Sequence, residues 1–362
     1  MRFNRRQMLA GTTAAFAVIG GTPVILHAEK AGDGFTVLKI QKVPRVILEG
    51  GKETRLWTYN GVNPGPEIRV KRRDQVKVRL INGLDEPTML HWHGIRIDNA
   101  MDGSPLTQNP VEPGETFEYV FTAPDAGTYW YHPHIGSSRQ VEHGLYGALI
   151  VEEETPPADT EDLTLVLDDW LINDDGVIDP QSFGDIRMAA HGGRLGNWFT
   201  VNGLSRPRLA APAGRRLRLR LINCANARIM NLQFKGAEPH IVALDGQPLS
   251  TARALGPDPL QLGPGGRADL MVRRSTEEII MAHVNTANEL LEVAYIERTG
   301  ERGEADTGAI AGLPGNGLPE TLDITGITPT ELVMEGGAMG GLAGAKLRGR
   351  DVGMRELVQN GM

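Results

Sequence analysis

One sequence pattern occurs twice in this chain of 362 residues, and this internal repeat constrains the fold more than any other feature. The first copy covers residues 60–70 and 76–82 and ends in Leu-Ile-Asn; the second covers residues 201–209 and 217–223 and ends in the same three residues. Later turn motifs recur as well: Asp102-Gly103 as Asp245-Gly246, and Pro113-Gly114 as Pro264-Gly265. Two copies of one folding unit are therefore expected.

Within each copy, short runs of alternating apolar and polar residues are separated by Gly, Pro, Asn and Asp. Such alternation indicates β-strands with one buried face, and no long stretch has the 3.6-residue period of an amphipathic helix. The clearest runs cover residues 36–40, 43–48, 68–70, 75–81, 117–121 and 148–151. The expected fold is all-β, with two tandem Greek-key β-sandwich domains.

The histidines give the first indication of chemistry, because four of the nine form two His-x-His pairs. The pairs are His91 with His93 and His132 with His134. Side chains two residues apart project from the same face of a strand, so each pair presents two imidazoles side by side. One pair alone would be compatible with ordinary structural histidines, whereas two pairs favour a site for copper, zinc, iron or nickel.

The second copy does not repeat these pairs. A gapless alignment of the copies from Asn82 and Asn223 places residues 91–93 opposite residues 232–234, which are Leu-Gln-Phe. This alignment predicts that apolar residues replace both ligands of the first pair. We therefore expect the first domain to bind metal and the second to be a scaffold.

Other residues of metal-binding type are predicted to be structural. Four further histidines stand alone and favour solvated or hydrogen-bonded roles: His143, His191, His240 and His283. Cys224 is the one cysteine, lacks a neighbouring histidine and takes the place of Gly83, so we expect a small buried residue. By strand alternation, Trp92 and Trp130 are expected to point away from the metal into the core.

The N-terminus has the features of an export signal. Arg5 and Arg6 form a twin-arginine pattern before a small, weakly apolar run at residues 10–26. This run is too short and too weakly apolar to predict a membrane span. We expect residues 1–28 to be a removed twin-arginine signal peptide, and the mature protein to be periplasmic or secreted.

Charge and composition bound the remaining organisation. The net charge of −8 is spread along the chain without a basic tract, which argues against nucleic acid as a partner. Pro156-Pro157 is typical of a linker, so the first domain is predicted at residues 29–155 and the second at residues 156–298. From residue 299 the composition shifts to Gly, Pro and Ala, which is typical of a linker.

The residues around the histidines resemble a known family. His-Trp-His-Gly at 91–94, Asp-Gly at 102–103, Tyr-His-Pro-His at 131–134 and Gly-Leu-Tyr-Gly at 144–147 are similar to the first cupredoxin domain of multicopper oxidases, the laccase and cuprous oxidase group. The resemblance implies two cupredoxin-like sandwiches, of which the second carries no copper. It also implies that residues 299–362 contain a Gly-rich linker and the start of a truncated third domain.

The same resemblance implies a role for each clustered histidine. His91 would bind a type 2 copper, while His93, His132 and His134 would bind paired type 3 coppers. Together these coppers form a trinuclear site that reduces dioxygen to water. These residues are half of the family's eight histidine ligands.

Asp102 matches an acidic residue that lies near this site in the family. The resemblance implies that its carboxylate orients a bound water and supplies protons. The alternative is that Asp102 and Gly103 are present only because Asp-Gly favours a turn. The same dipeptide at Asp245-Gly246, in the copy predicted to bind no metal, supports this alternative.

The resemblance also defines what this sequence lacks. Family members supply four further histidines and a Cys-containing motif from a third domain, and neither His-x-x-His-x-His nor His-Cys-His occurs here. The type 1 copper that admits electrons is therefore expected to be absent, and a third domain or partner chain would be needed to complete the site.

Three functions remain as hypotheses. The first is a copper-dependent oxidoreductase that couples one-electron oxidation of a small donor, a phenol or a metal ion, to reduction of dioxygen to water, with this chain alone inactive or incomplete. The second is a periplasmic copper-binding or storage protein without turnover. The third is a metal-free scaffold relative of the same fold, which the intact histidine pairs disfavour.

Overall fold

A computed structural model shows the all-β fold that the sequence predicts. It describes residues 25–185, 188, 191–211, 216–273, 277–298, 308–319, 321–329, 331–337, 341–347 and 349–351. Its helical elements include α1 (Ser137–Glu142) and two 3-10 turns, Asn99–Met101 and Pro180–Ser182.

The first sandwich is built from two four-stranded sheets. Its strands are β1 (Thr36–Arg45), β2 (Thr54–Tyr59), β3 (Gly65–Lys71), β4 (Gln75–Ile81), β5 (Leu90–His93), β6 (Thr116–Thr122), β7 (Gly127–Pro133) and β8 (Gly147–Glu152). The sheet orders are β2-β1-β4-β6 and β3-β8-β7-β5. β1 is continuous where the sequence predicted two runs, because it changes partner from β4 at residues 36–39 to β2 at residues 40–45.

The second sandwich follows along the chain with two larger sheets. Its strands are β9 (Thr160–Trp170), β10 (Trp198–Val201), β11 (Arg208–Ala211), β12 (Arg216–Asn223), β13 (Met230–Lys235), β14 (His240–Leu244), β15 (Gln247–Ala254), β16 (Leu260–Leu262), β17 (Arg267–Arg273), β18 (Ile279–Val284) and β19 (Leu290–Arg298). The sheet orders are β10-β9-β12-β17-β14-β15 and β11-β19-β18-β13-β16. A separate small sheet follows, formed by β20 (Leu332–Gly337), β21 (Gly341–Leu347) and β22 (Arg350–Asp351).

The two sandwiches share one topology, as the repeat predicts. β1 pairs parallel with β4 as β9 does with β12, and β3 pairs parallel with β8 as β11 does with β19. Asn60 and Asn202 each accept a backbone N–H from the first strand of their sandwich and donate to a carbonyl of that strand. Asn82 and Asn223 each accept the backbone N–H two residues further on. The repeated asparagines therefore perform the same structural tasks in both copies.

Each sandwich has its own apolar core, and a third cluster joins them. Trp92 and Tyr131 are fully buried in the first core, and Leu232 is fully buried in the second. The joining cluster contains Trp130 from the first sandwich and Trp170 from the second. Burial of large aromatic side chains between the sandwiches stabilises their relative placement.

Buried charges add to this junction. Arg218 and Arg220 project from β12 and are each 1% exposed. Oδ2 of Asp269 on β17 accepts from Nη2 of Arg218 at 2.6 Å and from Nη1 of Arg220 at 3.2 Å. Nη1 of Arg220 also donates to the hydroxyl of Thr128 on β7 at 3.0 Å. The network thus spans both sandwiches, and its charges are paired where water is excluded.

The chain beyond β19 returns to the junction. Leu313 is buried against Val242 and Met271 of the second sandwich. The side-chain amide of Asn316 bonds both the backbone N–H and the carbonyl of Ala126, and also Oε1 of Gln247. This part of the predicted linker is therefore packed, whereas residues 299–307 lie outside the described residues.

Most of the predicted signal peptide, residues 1–24, lies outside the described residues. The remainder contacts β3, where the carbonyl of Leu26 accepts from the N–H of Glu67 and the N–H of Ala28 donates to the Glu67 carbonyl. Within the part of the chain that the structure covers, no helix is long and apolar enough to cross a membrane.

Candidate metal centre

Strand pairing brings the two His-x-His motifs together. β5 and β7 are antiparallel neighbours, and His91 lies directly opposite His132. His134 follows the last residue of β7, and its backbone N–H donates to the carbonyl of Met89 at 3.2 Å. The four histidines predicted from the sequence therefore form one cluster. It lies on the face of the β3-β8-β7-β5 sheet that points away from the core of the first sandwich.

The imidazole rings lie within reach of shared metal ions. The ring centroids of His91 and His134 are 4.4 Å apart and stacked, while those of His93 and His132 are 5.4 Å apart. Nδ1 of His93 lies 3.2 Å from Nε2 of His132. Among the residues with described positions, ligand atoms of His91, His93 and His132 all fall within 4.8 Å of one another.

Main-chain carbonyls orient three of the four rings. Nδ1 of His91 lies 2.9 Å from the carbonyl oxygen of Asp102, and Nδ1 of His134 lies 3.0 Å from that of Gly103. Nδ1 of His132 lies 2.9 Å from the carbonyl oxygen of Pro133. Since a carbonyl only accepts, each Nδ1 carries the proton and each Nε2 is unprotonated, with the Nε2 lone pair of His132 facing Nδ1 of His93. The three rings are thereby set in the tautomer that binds metal through Nε2.

The turn that supplies two of these carbonyls depends on glycine. Gly103 has a φ of +66°, in the left-handed region that favours glycine. A Cβ at this position would also collide with the carbonyl group of Leu90, directly before His91. The Asp102-Gly103 turn can therefore lie close enough to β5 to hold both imidazoles only because Gly103 has no side chain.

Burial favours the neutral form of three of the clustered imidazoles. Burial lowers the pKa of His93 to about 4, and the guanidinium of Arg267 is the next cause. Burial also lowers the pKa of His132 well below its usual value and lowers the pKa of His134. Neutral imidazole is the form that ligates metal, so these rings do not have to lose a proton at pH 7.

Asp102 lies beside the cluster, as predicted. Its Oδ1 is 3.1 Å from Nδ1 of His91, which bonds the main-chain carbonyl of Asp102 instead, and this buried oxygen has no hydrogen-bond partner in the described part of the chain. Asp245 differs, because it has a φ of +49° in the hairpin between β14 and β15 and accepts the N–H of Arg267. The two Asp-Gly turns are therefore not structural equivalents.

The prediction for Trp130 is right about its burial but wrong about its direction. Trp92 does point into the first core, but Trp130 lies on the histidine side of β7, two residues before His132. Its ring stacks on that of His132 with centroids 4.1 Å apart and lies 5.0 Å from the ring of His93. Period-two alternation places positions 130, 132 and 134 on one face, so Trp130 packs behind the histidines.

The gapless alignment of the two copies is also wrong by one residue. Leu232 is fully buried in the second core, as Trp92 is in the first, so these two residues are equivalent. The positions that correspond to His91 and His93 are therefore Asn231 and Gln233, which alternate with buried residues on β13. The second copy carries amides there rather than apolar side chains.

The lone candidates have structural surroundings. Cys224 is fully buried in the cluster that joins the sandwiches, and burial raises the pKa of its thiol well above the usual value. His143 stacks between Trp57 and Phe183. Nδ1 of His283 accepts a backbone N–H. These positions do not join the cluster of His91, His93, His132 and His134.

Sequence reasoning missed the contributions of the main chain and of the second sandwich. The carbonyl groups of Asp102, Gly103 and Pro133 have no side-chain signature, although Gly103 after an acidic residue marked a turn. Arg267 was also missed, because only the tertiary structure brings β17 beside β7.

Comparisons with known proteins agree with this architecture. The profile of the family described as multicopper oxidase matches residues 41–156. The crystal structure of a multi-copper oxidase from Pseudomonas thermotolerans superimposes with a TM-score of 0.72 and 39% identity, covering 81% of this chain and 69% of that one. Lac15 from a marine microbial metagenome gives a TM-score of 0.66 and 35% identity, covering 79% and 72%. Multicopper oxidase MmcO of Mycobacterium tuberculosis is 31% identical over 316 residues, covering 75% of this chain and 61% of that protein.

The duplicated sandwich and the strand-borne histidine cluster define a cupredoxin-type protein with the ligand chemistry of copper. Together with these relatives they establish that the chain belongs to the multicopper oxidase family. It spans less than two thirds of the curated relatives that it matches, for example 61% of the mycobacterial protein and 56% of the Staphylococcus aureus protein.

Proposed function

We propose that His91, His93, His132 and His134 bind copper and form the first sandwich's share of a trinuclear oxygen-reducing site. The observation that carries this proposal is the set of three Nδ1 contacts to main-chain carbonyls, which frees Nε2 of His91, His132 and His134. Bound copper would supply the one-electron redox chemistry through which dioxygen is reduced to water. All four donors are imidazole nitrogens, which suits copper and leaves no hard oxygen-rich shell for magnesium or calcium.

The roles of individual ligands follow the family pattern. We propose His91 for the type 2 copper and His93, His132 and His134 for the type 3 pair. Asp102 would act at the edge of this site, where its unpartnered Oδ1 can accept a hydrogen bond from a water molecule or pass a proton. Its main-chain carbonyl also orients His91, a contact that any residue at position 102 could make, so the part of this proposal that is specific to aspartate rests on Oδ1 alone.

The complete reaction would need residues beyond the four histidines. We propose that the remaining cluster ligands and an electron-entry copper come from a third domain or a partner chain. That assembly would oxidise a small donor, a phenol or a metal ion, with dioxygen as acceptor. Domain limits of 29–155 and 156–298 are proposed on the same basis, since Pro156 falls between the end of β8 and the start of β9. Export by the twin-arginine route would place the mature protein in the periplasm or outside the cell.

Copper loading tests the ligand assignment. The purified chain is incubated with Cu(I) without oxygen, passed over a desalting column and analysed for bound copper by mass spectrometry. His93→Ala and His132→Ala should each sharply lower bound copper, whereas His240→Ala should leave it unchanged because His240 lies on β14 of the second sandwich. Equal copper contents in all three variants would refute the assignment.

A second candidate function is copper binding without turnover. It is favoured by the position of Cys224, whose burial among apolar residues removes the one thiol of this sequence from any solvent-accessible copper site. Oxygen-electrode measurements on the copper-loaded chain with a phenol or Cu(I) as donor separate the two. Oxygen consumption by this chain alone would exclude the second candidate, whereas tight copper binding without consumption would support it.

A further inference from the structure

The second sandwich contributes none of the four clustered histidines, yet one of its turns lies directly against His93. The turn is Pro264-Gly265, between β16 and β17. A Cβ on Gly265 would lie 2.9 Å from Cε1 of His93 and 3.2 Å from its Nε2. This backbone therefore closes on the Nε2 edge of the ring, where there is no space for a side chain.

Arg267, at the start of β17, ties this turn to the first sandwich. Its side chain is 5% exposed, and Nη1 donates to the carbonyl of Gly265 at 2.9 Å. Nε donates to the carbonyl of Thr128 on β7 at 3.4 Å, and the guanidinium lies against Gly94, directly after His93. One planar group thus contacts the turn, the strand of His132 and the residue that follows His93.

These contacts give His93 an orientation opposite to that of its neighbours. His91, His132 and His134 point Nδ1 at main-chain carbonyls, whereas Nδ1 of His93 faces Nε2 of His132 at 3.2 Å. With the Nε2 edge against Gly265, Nδ1 is the nitrogen of His93 that is directed into the cluster.

The corresponding turn of the first sandwich lacks both features, the close approach of its glycine to another residue and the arginine that follows it. Gly114 and Gly265 have φ values of +80° and +74°, and each donates its N–H at 2.9 Å to the repeated asparagine, Asn82 or Asn223. A Cβ on Gly114, however, would meet nothing within 4 Å. Thr116 pairs with Ile81 as Arg267 pairs with Ile222, so Thr116 is the residue of the first sandwich that corresponds to Arg267.

We propose that Gly265 and Arg267 are positioning residues through which the second sandwich fixes the orientation of the His93 ring, with Nδ1 directed into the cluster. The sandwich that carries amides at the positions of His91 and His93 would then set the geometry of a ligand in the other copy. This inference rests on the proposed copper site and adds to it a role for the second sandwich.

The test compares Gly265→Ala with Gly114→Ala in the full chain. Both variants carry the same backbone strain at a positive φ, but only Gly265→Ala places a methyl group against His93. Cu(I) affinity is measured by competition with a chromophoric chelator, and the nitrogen that binds is identified by 15N NMR of histidine-labelled, Cu(I)-loaded protein. We expect Gly265→Ala to weaken copper binding by about 10- to 100-fold and to move the His93 signals, while Gly114→Ala keeps the wild-type affinity and spectrum.

Equal affinities and unchanged His93 signals in the two glycine variants would overturn the positioning role. A wild-type chain that binds no Cu(I) would instead overturn the proposed function, so the two failures are distinguishable. If Gly265→Ala does not fold, Arg267→Lys replaces it, since lysine keeps the charge but cannot bridge Gly265 and Thr128 together. Altered His93 signals in Arg267→Lys would support the proposal, and a wild-type spectrum would refute it.

Discussion

Thr128 donates its hydroxyl to Oδ1 of Asp269 at 2.7 Å, and both side chains are almost fully buried. Thr128 lies on β7, the strand that carries His132, whereas Asp269 lies on β17 of the second sandwich. The other carboxylate oxygen of Asp269 accepts from Arg218 and Arg220. The Asp269 carboxylate is therefore one of the groups that fix the strand carrying His132 to the second sandwich, together with Arg220 and Arg267.

Asp269→Asn should strongly destabilise the protein. The substitution removes a negative charge that two buried guanidinium groups share, although Arg218 keeps Glu153 and Arg220 keeps Asp162 as partners. Complete loss of one partner of a buried ion pair costs about 3–5 kcal/mol, which is the upper bound here. Urea unfolding followed by tryptophan fluorescence measures the change in the free energy of unfolding. Asp258→Asn, at an exposed position of the same sandwich, is the control and should stay within about 0.5 kcal/mol of wild type. Similar midpoints for the two variants would contradict this account of the junction.

Cys224→Ser should leave the copper content unchanged while lowering stability. The thiol is buried beside Trp170 and Ile222, and a hydroxyl placed there without a hydrogen-bond partner costs about 1–3 kcal/mol. In the native wild-type chain, the thiol should react with Ellman's reagent only after denaturant is added. Fast reaction in the native state, or copper loss in Cys224→Ser, would show that Cys224 is accessible or close to the metal.

Glu142 should make the free energy of unfolding depend on pH. Burial raises its pKa from 4.5 to about 7, while contact with Arg194 opposes the rise. The folded state therefore holds this proton more tightly than the unfolded chain, so the contribution is complete below pH 4.5 and is lost as the pH rises through about 7.

The pH dependence is checked with Glu142→Gln, which does not titrate. Urea unfolding of both proteins between pH 4.5 and 8 gives the difference between their free energies of unfolding. The wild type should lose stability relative to the variant as the pH rises across this interval. A difference that is constant with pH, or that grows with pH, would show that Glu142 stays ionised in the folded protein.

Gly103→Ala should weaken copper binding as well as folding. A methyl group at a φ of +66° costs about 1–2 kcal/mol, and here it also collides with the carbonyl of Leu90. Displacement of the turn would move the carbonyl groups that hold His91 and His134. Thermal unfolding and copper analysis measure the two effects.

The control for Gly103→Ala is Gly34→Ala, where φ is +83° and a Cβ meets nothing within 4 Å. It should show the backbone strain but keep full copper binding. If Gly103→Ala also retained all its copper, the turn would not be what orients the imidazoles.

The sequence was sufficient for the architecture, because the repeat and the strand alternation are local signals. It was also sufficient to select the four histidines, since each pair lies on one face of its strand. The exact residue-by-residue correspondence between the two copies could not be obtained from these local signals. The connection from Asn223 to Leu232 is one residue shorter than that from Asn82 to Trp92, and a gapless alignment cannot detect the difference.

The rest of the site depends on contacts between distant segments. Nothing in the sequence near Arg267 indicates that its guanidinium lies beside Gly94, because the contact requires the second sandwich to be docked on the first. The contact of Asn316 with Ala126 could not be predicted from the sequence either, since a segment rich in Gly and Pro is typical of a mobile linker. The direction of Trp130 was predicted wrongly although the sequence contained the needed information, because strand alternation itself places positions 130 and 132 on the same face.

Because main-chain carbonyl groups of Asp102, Gly103 and Pro133 hold the imidazoles, this site can tolerate amino-acid substitutions during evolution. Every residue type has a main-chain carbonyl, so mutation can alter the side chains at positions 102 and 133 while the acceptors for the imidazoles persist. The orientation of His91, His132 and His134 therefore depends on the path of the backbone and not on which side chains surround these residues. A centre built in this way can keep its geometry while most of the surrounding sequence diverges, provided that the turn at Gly103 is maintained.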